Sequence, residues 1–246
     1  ARQVVAALSA DKDVWVEKPL AMTMAELDEI EAAYAKAVAV RSADGDNPPV
    51  VMVGYNRRFS PFISRLKEAV DARVGSDGAR QVVIRVNAGR IEGDNWQNTD
   101  EGGGRLIGEV CHFTDLAQYF CGDIKDASMM RGEGQESYAI SLSHANGSVS
   151  QIVYASEGDS GFAKERVEVF AGGGVGVMDN YKTTFWQVDG KRRVLAKRRF
   201  WQRVDKGHRA ALTEWIAALR GEATSLPTFR ELIAGGRVIL EMAHRG

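Results

Sequence analysis

The sequence predicts a mixed α/β protein of the α+β type, in which helices cover one face of a large, mostly antiparallel open sheet. Three observations predict it: a helix followed by a short strand opens the chain, an amphipathic helical pattern occupies residues 106–120, and several strand-like runs follow Tyr138 before two closing helices. Strands that arrive in succession between helices favour this architecture.

The helices are predicted from periodicity and caps. Thr23 and Glu26 form a capping box, and Ser60-Pro61 fits an N-cap followed by proline at the first helical position. A polar stretch, 41–49, predicts a loop. The predicted helices are the opening segment, 23 to about 40, one from 61 onward, 106–120, about 207–220 and about 228–244.

The strands are predicted from short β-branched runs and from alternation of apolar and polar residues. Asn146-Gly147 between two such runs predicts a hairpin with a type I′ turn. The predicted strands are 13–17, 50–53, about 81–87, 138–143, 148–154, 166–170, 175–179, 183–188 and 193–200.

Composition excludes several classes of protein. The 32 lysines and arginines nearly cancel the 33 aspartates and glutamates, so no overall field attracts nucleic acid or a membrane surface. Cys111 and Cys121 form no CxxC pair, which indicates a reducing, cytoplasmic setting without disulfides. No apolar run approaches the length that spans a bilayer. No metal site is predicted, because adjacent Cys111 and His112 lie on different faces of a helix.

Glu17-Lys18-Pro19 is the first candidate site. It follows a predicted buried strand at its carboxyl end, where open α/β sheets bind ligands. A lysine there can orient a substrate hydroxyl or, when desolvated, take part in proton transfer. The alternative is that Glu17 and Lys18 are surface charges on a turn.

The second candidate site lies on the helix at 106–120. Arg105, Glu109, His112 and Asp115 are spaced so that they fall close to one ribbon of a helix. A histidine beside a carboxylate is a plausible acid/base pair, because its ordinary pKa lies near neutrality. The alternative is a ladder of salt bridges on the helix surface.

Several stretches, in order, resemble the glucose-fructose oxidoreductase and inositol dehydrogenase (Gfo/Idh/MocA) family of NAD(P)-dependent enzymes. The resemblance covers essentially the whole chain and is carried by Val14 to Leu20, Val53 to Phe59, Gly102 to His112, Lys164 to Val167, Asp205 to His208 and Pro227. Arg85 to Gly89, Trp96 and Gly108 to Phe113 are most similar to the branch often fused to a zinc-type alcohol dehydrogenase module.

The resemblance implies a mechanism and a cofactor, NAD or NADP. Glu17, Lys18 and Pro19 would lie near the nicotinamide, often with a non-trans Lys18–Pro19 bond. Lys18 and His112 match the family's catalytic lysine and histidine, with His112 as acid/base and Lys18 orienting the hydroxyl. Many members carry an aspartate four residues before the histidine, where this chain has Gly108. Glu109 is therefore the candidate third catalytic residue, although its different rotation on a helix leaves its direction open.

The resemblance also predicts the domain organisation. The G-x-G-x-x-G turn and the acidic residue that would read the ribose are not found, and Gly172 to Gly176 lies between strands, where a hairpin or bulge is favoured. We expect residues 1–45 to be the tail of a Rossmann domain, most of which precedes this sequence. Residues 46–246 would form a domain for substrate binding and oligomerisation.

Tyr55, Arg57, Asn95, Trp96 and Arg105 are the candidate substrate-binding residues. Arg57 could hold an anionic or hydroxyl-rich substrate, and Trp96 could stack on a sugar with Asn95 as a polar contact. A loop leading into a helix is the alternative for the Tyr55 stretch, and simple packing is the alternative for Trp96.

The function predicted from the sequence is NAD(P)-dependent hydride transfer to or from a hydroxyl of a sugar, polyol or nucleotide sugar. The open sheet face predicts a homodimer or homotetramer. The alternatives are a cofactor-free binding or oligomerisation module and, less favoured, nucleic-acid binding through the basic hairpin around Lys191 to Arg199.

Overall fold

A computed structural model describes residues 1–89, 104–132 and 136–245, without the side chain of residue 245. The helices are α1 (Arg2–Ser9), α2 (Met24–Asp44), α3 (Pro61–Val74), α4 (Cys111–Cys121), α5 (His208–Leu219) and α6 (Phe229–Arg245), with a 3₁₀ turn at Arg57–Phe59 and a π-helical turn at Leu106–Val110. The strands are β1 (Val14–Val16), β2 (Val51–Val53), β3 (Gln81–Asn87), β4 (Ile124–Arg131), β5 (Tyr138–His144), β6 (Val149–Ala155), β7 (Glu165–Ala171), β8 (Gly174–Asp179), β9 (Thr183–Val188) and β10 (Lys191–Lys197).

Eight strands form one large sheet in the order β10-β9-β8-β7-β3-β6-β5-β4. All neighbours are antiparallel except the central pair β3 and β6, which run parallel with Ile84 opposite Ile152. The mixed α/β fold with a large, mostly antiparallel sheet is therefore confirmed.

The two faces of this sheet differ in what covers them. Alternate side chains of β3, namely Val82, Ile84 and Val86, are fully buried, on the face that α4 packs against; α3 packs on β7 to β10 and α6 on β4. The opposite face carries exposed apolar side chains: Met130, Val149, Val153, Phe170 and Val194. An open sheet face of this kind is the surface that the sequence predicts for self-association.

The small α/β unit at the start of the chain places the first candidate site. β1 pairs parallel with β2, from Val14 opposite Val51 to Val16 opposite Val53, and α1 and α2 pack together beside them. β2 comes after residue 45, where the sequence analysis places the end of the Rossmann tail. A single hydrophobic core nevertheless includes residues from Val4 in α1 to Met242 in α6. β1 therefore ends at Glu17-Lys18-Pro19 within the same core as the large sheet.

Three local predictions need correction, and one strand was not predicted. Only Gly147 of the Asn146-Gly147 pair has a positive φ (+82°), so the type I′ turn, which needs two, is wrong. Helix α2 continues to Asp44 and ends at left-handed Gly45, because Arg41 binds Asp11 and Asp13 instead of beginning a loop. Strand β4 was not predicted, since its exposed, charged edge sequence lacks alternation, and β10 ends at Lys197 rather than residue 200.

Within the three described ranges, no helix has the length and apolarity that crossing a membrane requires. Over the same ranges, no cluster of three or more histidine, cysteine or acidic side chains could hold a metal ion.

Candidate active site

Lys18 connects the two candidate stretches. It lies just beyond β1, and its bond to Pro19 is cis, as the resemblance implies. Its ammonium donates to the Gly108 carbonyl at 2.5 Å and to Glu109 Oε1 at 2.8 Å. The lysine side chain is 16% exposed, so Lys18 is a half-buried partner of the helix rather than a free surface charge.

A π-helical turn explains how Glu109 reaches Lys18. Leu106 to Val110 form this turn directly before α4, and π-helical turns are frequent at functional sites. At Gly108, where many family members have an aspartate, the main-chain carbonyl binds the lysine, and the adjacent Glu109 supplies the negative charge. The open question about the direction of Glu109 is thus settled: it faces Lys18.

His112 is buried beside this pair with one unsatisfied nitrogen. The residue is 6% exposed, and Nδ1 has no hydrogen-bond partner in the described part of the chain. The ring meets Tyr55 edge to face at 5.9 Å between centroids. Burial, and then the positive charges of Arg57 and Lys18, hold the pKa of His112 well below its ordinary value. The imidazole is therefore neutral at pH 7 and free to accept a proton.

A second polar cluster, which we call the support cluster, consists of Arg57, Glu165, Tyr181 and Lys206. Arg57 binds both oxygens of Glu165, with Nε–Oε2 at 2.9 Å and Nη2–Oε1 at 3.1 Å. The Tyr181 hydroxyl donates to Oε2 at 2.8 Å, and the Lys206 ammonium donates to Oε1 at 2.7 Å. Both carboxylate oxygens of Glu165 are therefore fully used.

Electrostatics keep the support cluster ionised. Burial opposes the charge on Glu165, but Arg57 and Lys206 outweigh it and hold the pKa of this carboxyl at about 2. Burial and the neighbouring Glu165 charge raise the pKa of Tyr181 well above its usual range, so its hydroxyl stays a donor. Arg57 and Lys206 also lower the pKa of His112, which links this cluster electrostatically to the candidate site.

Four of the predicted site residues lie together in the structure, and Asp115 has a different partner. Lys18, Glu109, His112 and Tyr55 are brought together, whereas the carboxylate of Asp115 pairs with Arg58 at 2.5 Å. Arg58 therefore binds both oxygens of the Asp115 carboxylate.

Three further predicted residues lie around this core. Glu17 is exposed, with its carboxylate against the backbone of Gly54, and Pro19 is half-buried. Arg105 is buried and 4% exposed. Asn95 and Trp96 lie outside the described residues, so their predicted contacts with substrate stay predictions.

Sequence reasoning missed Glu165, Tyr181 and the use of Lys206. One signal was present: Glu165 alternates with Val167 and Val169, so it occupies an inward position of β7. An acidic residue at an inward position must have a buried cationic partner. The partner, Arg57, is distant in the sequence and could not be identified by spacing.

Comparisons with known proteins give no match to any family model. An uncharacterized oxidoreductase, YrbE, of Bacillus subtilis is 26% identical over 76% of this chain and 54% of its own length. Inositol 2-dehydrogenase 2 of Paenarthrobacter aurescens is 26% identical over 91% of this chain and 67% of its own. Myo-inositol 2-dehydrogenase of Thermotoga maritima is 28% identical over 76% of this chain and 47% of its own. The chain thus spans about half to two thirds of these relatives.

Solved structures share the fold. An oxidoreductase domain protein from Kribbella flavida superposes with a TM-score of 0.77 at 22% identity, over 99% of this chain and 75% of that one. An oxidoreductase from Agrobacterium radiobacter, in complex with NAD⁺, L-tartaric acid and magnesium, gives 0.72 at 16% identity, over all of this chain and 75% of that one. These three relatives are named as oxidoreductases, two of them as inositol dehydrogenases, and a neighbour in fold is in complex with NAD⁺.

Proposed function

We propose that this chain belongs to an NAD(P)-dependent oxidoreductase that transfers a hydride between a secondary hydroxyl of a sugar or polyol and the nicotinamide. One observation carries the proposal: Lys18, paired with Glu109, lies beside a neutral, buried His112 with an unsatisfied nitrogen. The dehydrogenase relatives support it, and the resemblance in the motifs agrees with it.

The residues present fit the reacting end of a nicotinamide cofactor. The orphan Nδ1 of His112 needs a polar ligand, and Glu17, Lys18 and Pro19 lie at the strand end where α/β sheets receive ligands. These three residues would hold the nicotinamide end. We expect the turn that binds the pyrophosphate to lie outside these 246 residues, because no G-x-G-x-x-G motif occurs in them. When bound, NAD or NADP supplies the hydride acceptor.

The side chains divide the remaining work. Lys18 donates a hydrogen bond to the substrate hydroxyl oxygen, and Glu109 and the Gly108 carbonyl fix the position of its ammonium. His112 accepts the hydroxyl proton as the carbinol carbon gives up its hydride and the C–O bond becomes a carbonyl. In the reverse direction the imidazolium returns the proton. The low pKa of His112 keeps it ready to accept in the forward direction.

The support cluster has a positioning role in this proposal. Arg57 is committed to Glu165 through two hydrogen bonds, so it acts on His112 through its charge and packs on Phe113 at 4.8 Å from the ring centroid. It therefore holds the helix that carries His112.

Self-association through the open face of the large sheet is part of the proposal. Val149, Val153 and Phe170 are 45%, 43% and 39% exposed on that face, on β6 and β7, the two strands that flank β3. A homodimer or homotetramer would bury them. Light scattering on the wild type and on the double variant Val153→Lys, Phe170→Lys tests this, and a wild-type monomer would refute it.

The activity is tested by nicotinamide fluorescence and turnover. NADH and NADPH are titrated against the purified chain, and reduction of NAD⁺ and NADP⁺ is followed with myo-inositol and related polyols and sugars. Lys18→Met should abolish turnover, whereas Lys12→Met, which removes an exposed lysine before β1, should not. Equal turnover in the two variants would contradict the role of Lys18.

A further inference from the structure

One buried arginine of this protein differs from the others. Arg57, Arg58, Arg80 and Arg105 are each at most 6% exposed. Arg57 pairs with Glu165, Arg58 with Asp115 and Arg80 with Asp71. Arg105 has no carboxylate at salt-bridge distance in the described ranges, and its Nη1 has neither solvent nor a hydrogen-bond partner there. A buried cation without a counter-charge is costly, so the fold leaves Arg105 poised for a ligand.

The surroundings of Arg105 fix its main chain and place Tyr154 beside the guanidinium, but within the described ranges they supply no carboxylate partner for its charge. Its backbone N–H donates to Glu136 Oε2 at 2.6 Å, which fixes the main chain, while Glu136 Oε1 accepts from Arg131. The guanidinium lies 5.9 Å from the ring centroid of Tyr154. Burial and the charge of Glu109 raise the pKa of Tyr154 to about 12, so its phenol stays protonated and can donate. A buried guanidinium beside a phenol donor matches a carboxylate.

Arg105 is also close to the reactive residues. It directly precedes the π-helical turn that presents Gly108 and Glu109 to Lys18. Tyr154 is influenced by the charges of both Arg105 and Glu109, and it packs on Phe113, the neighbour of His112 in the sequence. A ligand held by Arg105 therefore extends toward the hydroxyl-binding pair.

We infer that the substrate of the proposed oxidoreductase is a sugar acid or polyol acid, whose carboxylate binds Arg105 and Tyr154 while its hydroxyl lies at Lys18 and His112. This inference rests on the proposed function. A carboxylate suits the site better than a phosphate dianion, because Glu109 and Glu136 lie nearby and would repel the second charge.

The experiment measures binding directly, so it does not depend on turnover. D-glucuronate and D-glucose, which differ only in a carboxylate against a hydroxymethyl group, are titrated by calorimetry. D-glucose 6-phosphate serves as the phosphate probe. The proteins are the wild type, Arg105→Met, Arg105→Lys and a control, Arg230→Met, which removes an arginine whose side chain is 82% exposed.

The wild type and Arg230→Met should bind D-glucuronate at least tenfold more tightly than D-glucose. Arg105→Met should lose that preference, by about ten- to a hundredfold, and Arg105→Lys should regain part of it. A structural role would give a different result: removing a paired buried arginine lowers Tm, whereas Arg105→Met should leave Tm unchanged or raise it.

The outcomes separate this inference from the proposed function. Equal binding of D-glucuronate and D-glucose by the wild type, tighter binding of the phosphate, or an undiminished preference in Arg105→Met overturns the inference, even when neutral polyols are oxidised. Binding of D-glucuronate that depends on Arg105, without hydride transfer to either cofactor, supports the carboxylate site and refutes the proposed activity.

Discussion

The support cluster and the neighbouring candidate site around His112 both contain buried polar groups, but the hydrogen-bonding capacity of those groups is satisfied to different degrees. In the support cluster, the two oxygens of Glu165 accept four hydrogen bonds, from Arg57, Tyr181 and Lys206. Beside it, His112 keeps an unsatisfied buried nitrogen. Complete pairing stabilises a fold, whereas an unpaired buried polar atom has a cost that a ligand can remove. The difference therefore agrees with the proposal that the support cluster positions the site and that His112 reacts.

The largest effect, on kcat, is expected from replacing His112. His112→Asn removes the proposed proton acceptor and should lower kcat by about 10²–10⁴-fold, with little change in Tm, because Nδ1 of the histidine has no hydrogen-bond partner among the described residues. Steady-state kinetics and thermal unfolding measure the two quantities. His244→Asn, at an exposed position near the end of α6, is the matched control. A His112→Asn enzyme with full activity would rule out the acid/base role.

A substitution in the support cluster should mainly lower stability, in contrast to His112→Asn. Glu165→Gln leaves Arg57 and Lys206 without a buried counter-charge, and loss of one partner of such a pair costs about 3–5 kcal/mol in the free energy of unfolding. Denaturant unfolding measures this loss. Glu168→Gln, an outward position of the same strand, should change the free energy by less than about 1 kcal/mol. A fully stable Glu165→Gln protein would show that this cluster does not hold the fold.

His112 and the support cluster should also affect stability in different pH ranges. The folded-state pKa of His112 lies below its unfolded value, so the unfolded chain binds more protons and stability falls as pH drops below about 6.5. The pKa of Glu165 is lowered to about 2, so its contribution is present above about pH 4.5 and is lost as pH falls toward 2. The free energy of unfolding is measured as a function of pH. The decrease below about pH 6.5 should disappear in His112→Asn, and the decrease between about pH 4.5 and 2 should disappear in Glu165→Gln. Unchanged slopes in both variants would contradict this assignment.

The smallest loss of stability is expected from removing a single hydrogen bond within the support cluster. Tyr181→Phe removes one hydrogen bond to Glu165 but keeps both cations, so we expect a loss of about 1 kcal/mol. Denaturant unfolding alongside Glu165→Gln measures the ratio of the two losses. Equal losses would mean that the hydroxyl, rather than the ion pairs, dominates the cluster.

Local sequence signals predicted much of the fold. The capping box at Thr23, the proline-led start of α3 and the strands β3 and β9 needed only local patterns, and the structure has them at those positions. The π-helical turn and the edge strand β4 were missed, because their conformations depend on tertiary contacts. Gly45 ended α2 four residues later than the polar composition of the loop suggested.

The candidate site was predictable where a motif carried it. Lys18 and His112 came from motifs, and Glu109 came from helix spacing whose rotation only the π-helical turn could settle. The Glu165 partners lie on three separate segments, and no local pattern reports which distant cation fills a buried pocket. The unpaired state of Arg105 likewise emerges only when the other buried arginines are seen with their partners.

The parallel pair in the centre of the large sheet constrains the order of assembly during synthesis. β3 is made early, but both of its neighbours come late: β6 begins at Val149 and β7 at Glu165. The backbone and apolar side chains of β3 therefore have no strand partner until the ribosome has added the chain as far as β6 and β7. Such distant pairing slows folding and leaves a strand open to wrong partners. We expect chaperone dependence in cells to track mutations in β3 more closely than mutations in the local hairpin of β8 and β9.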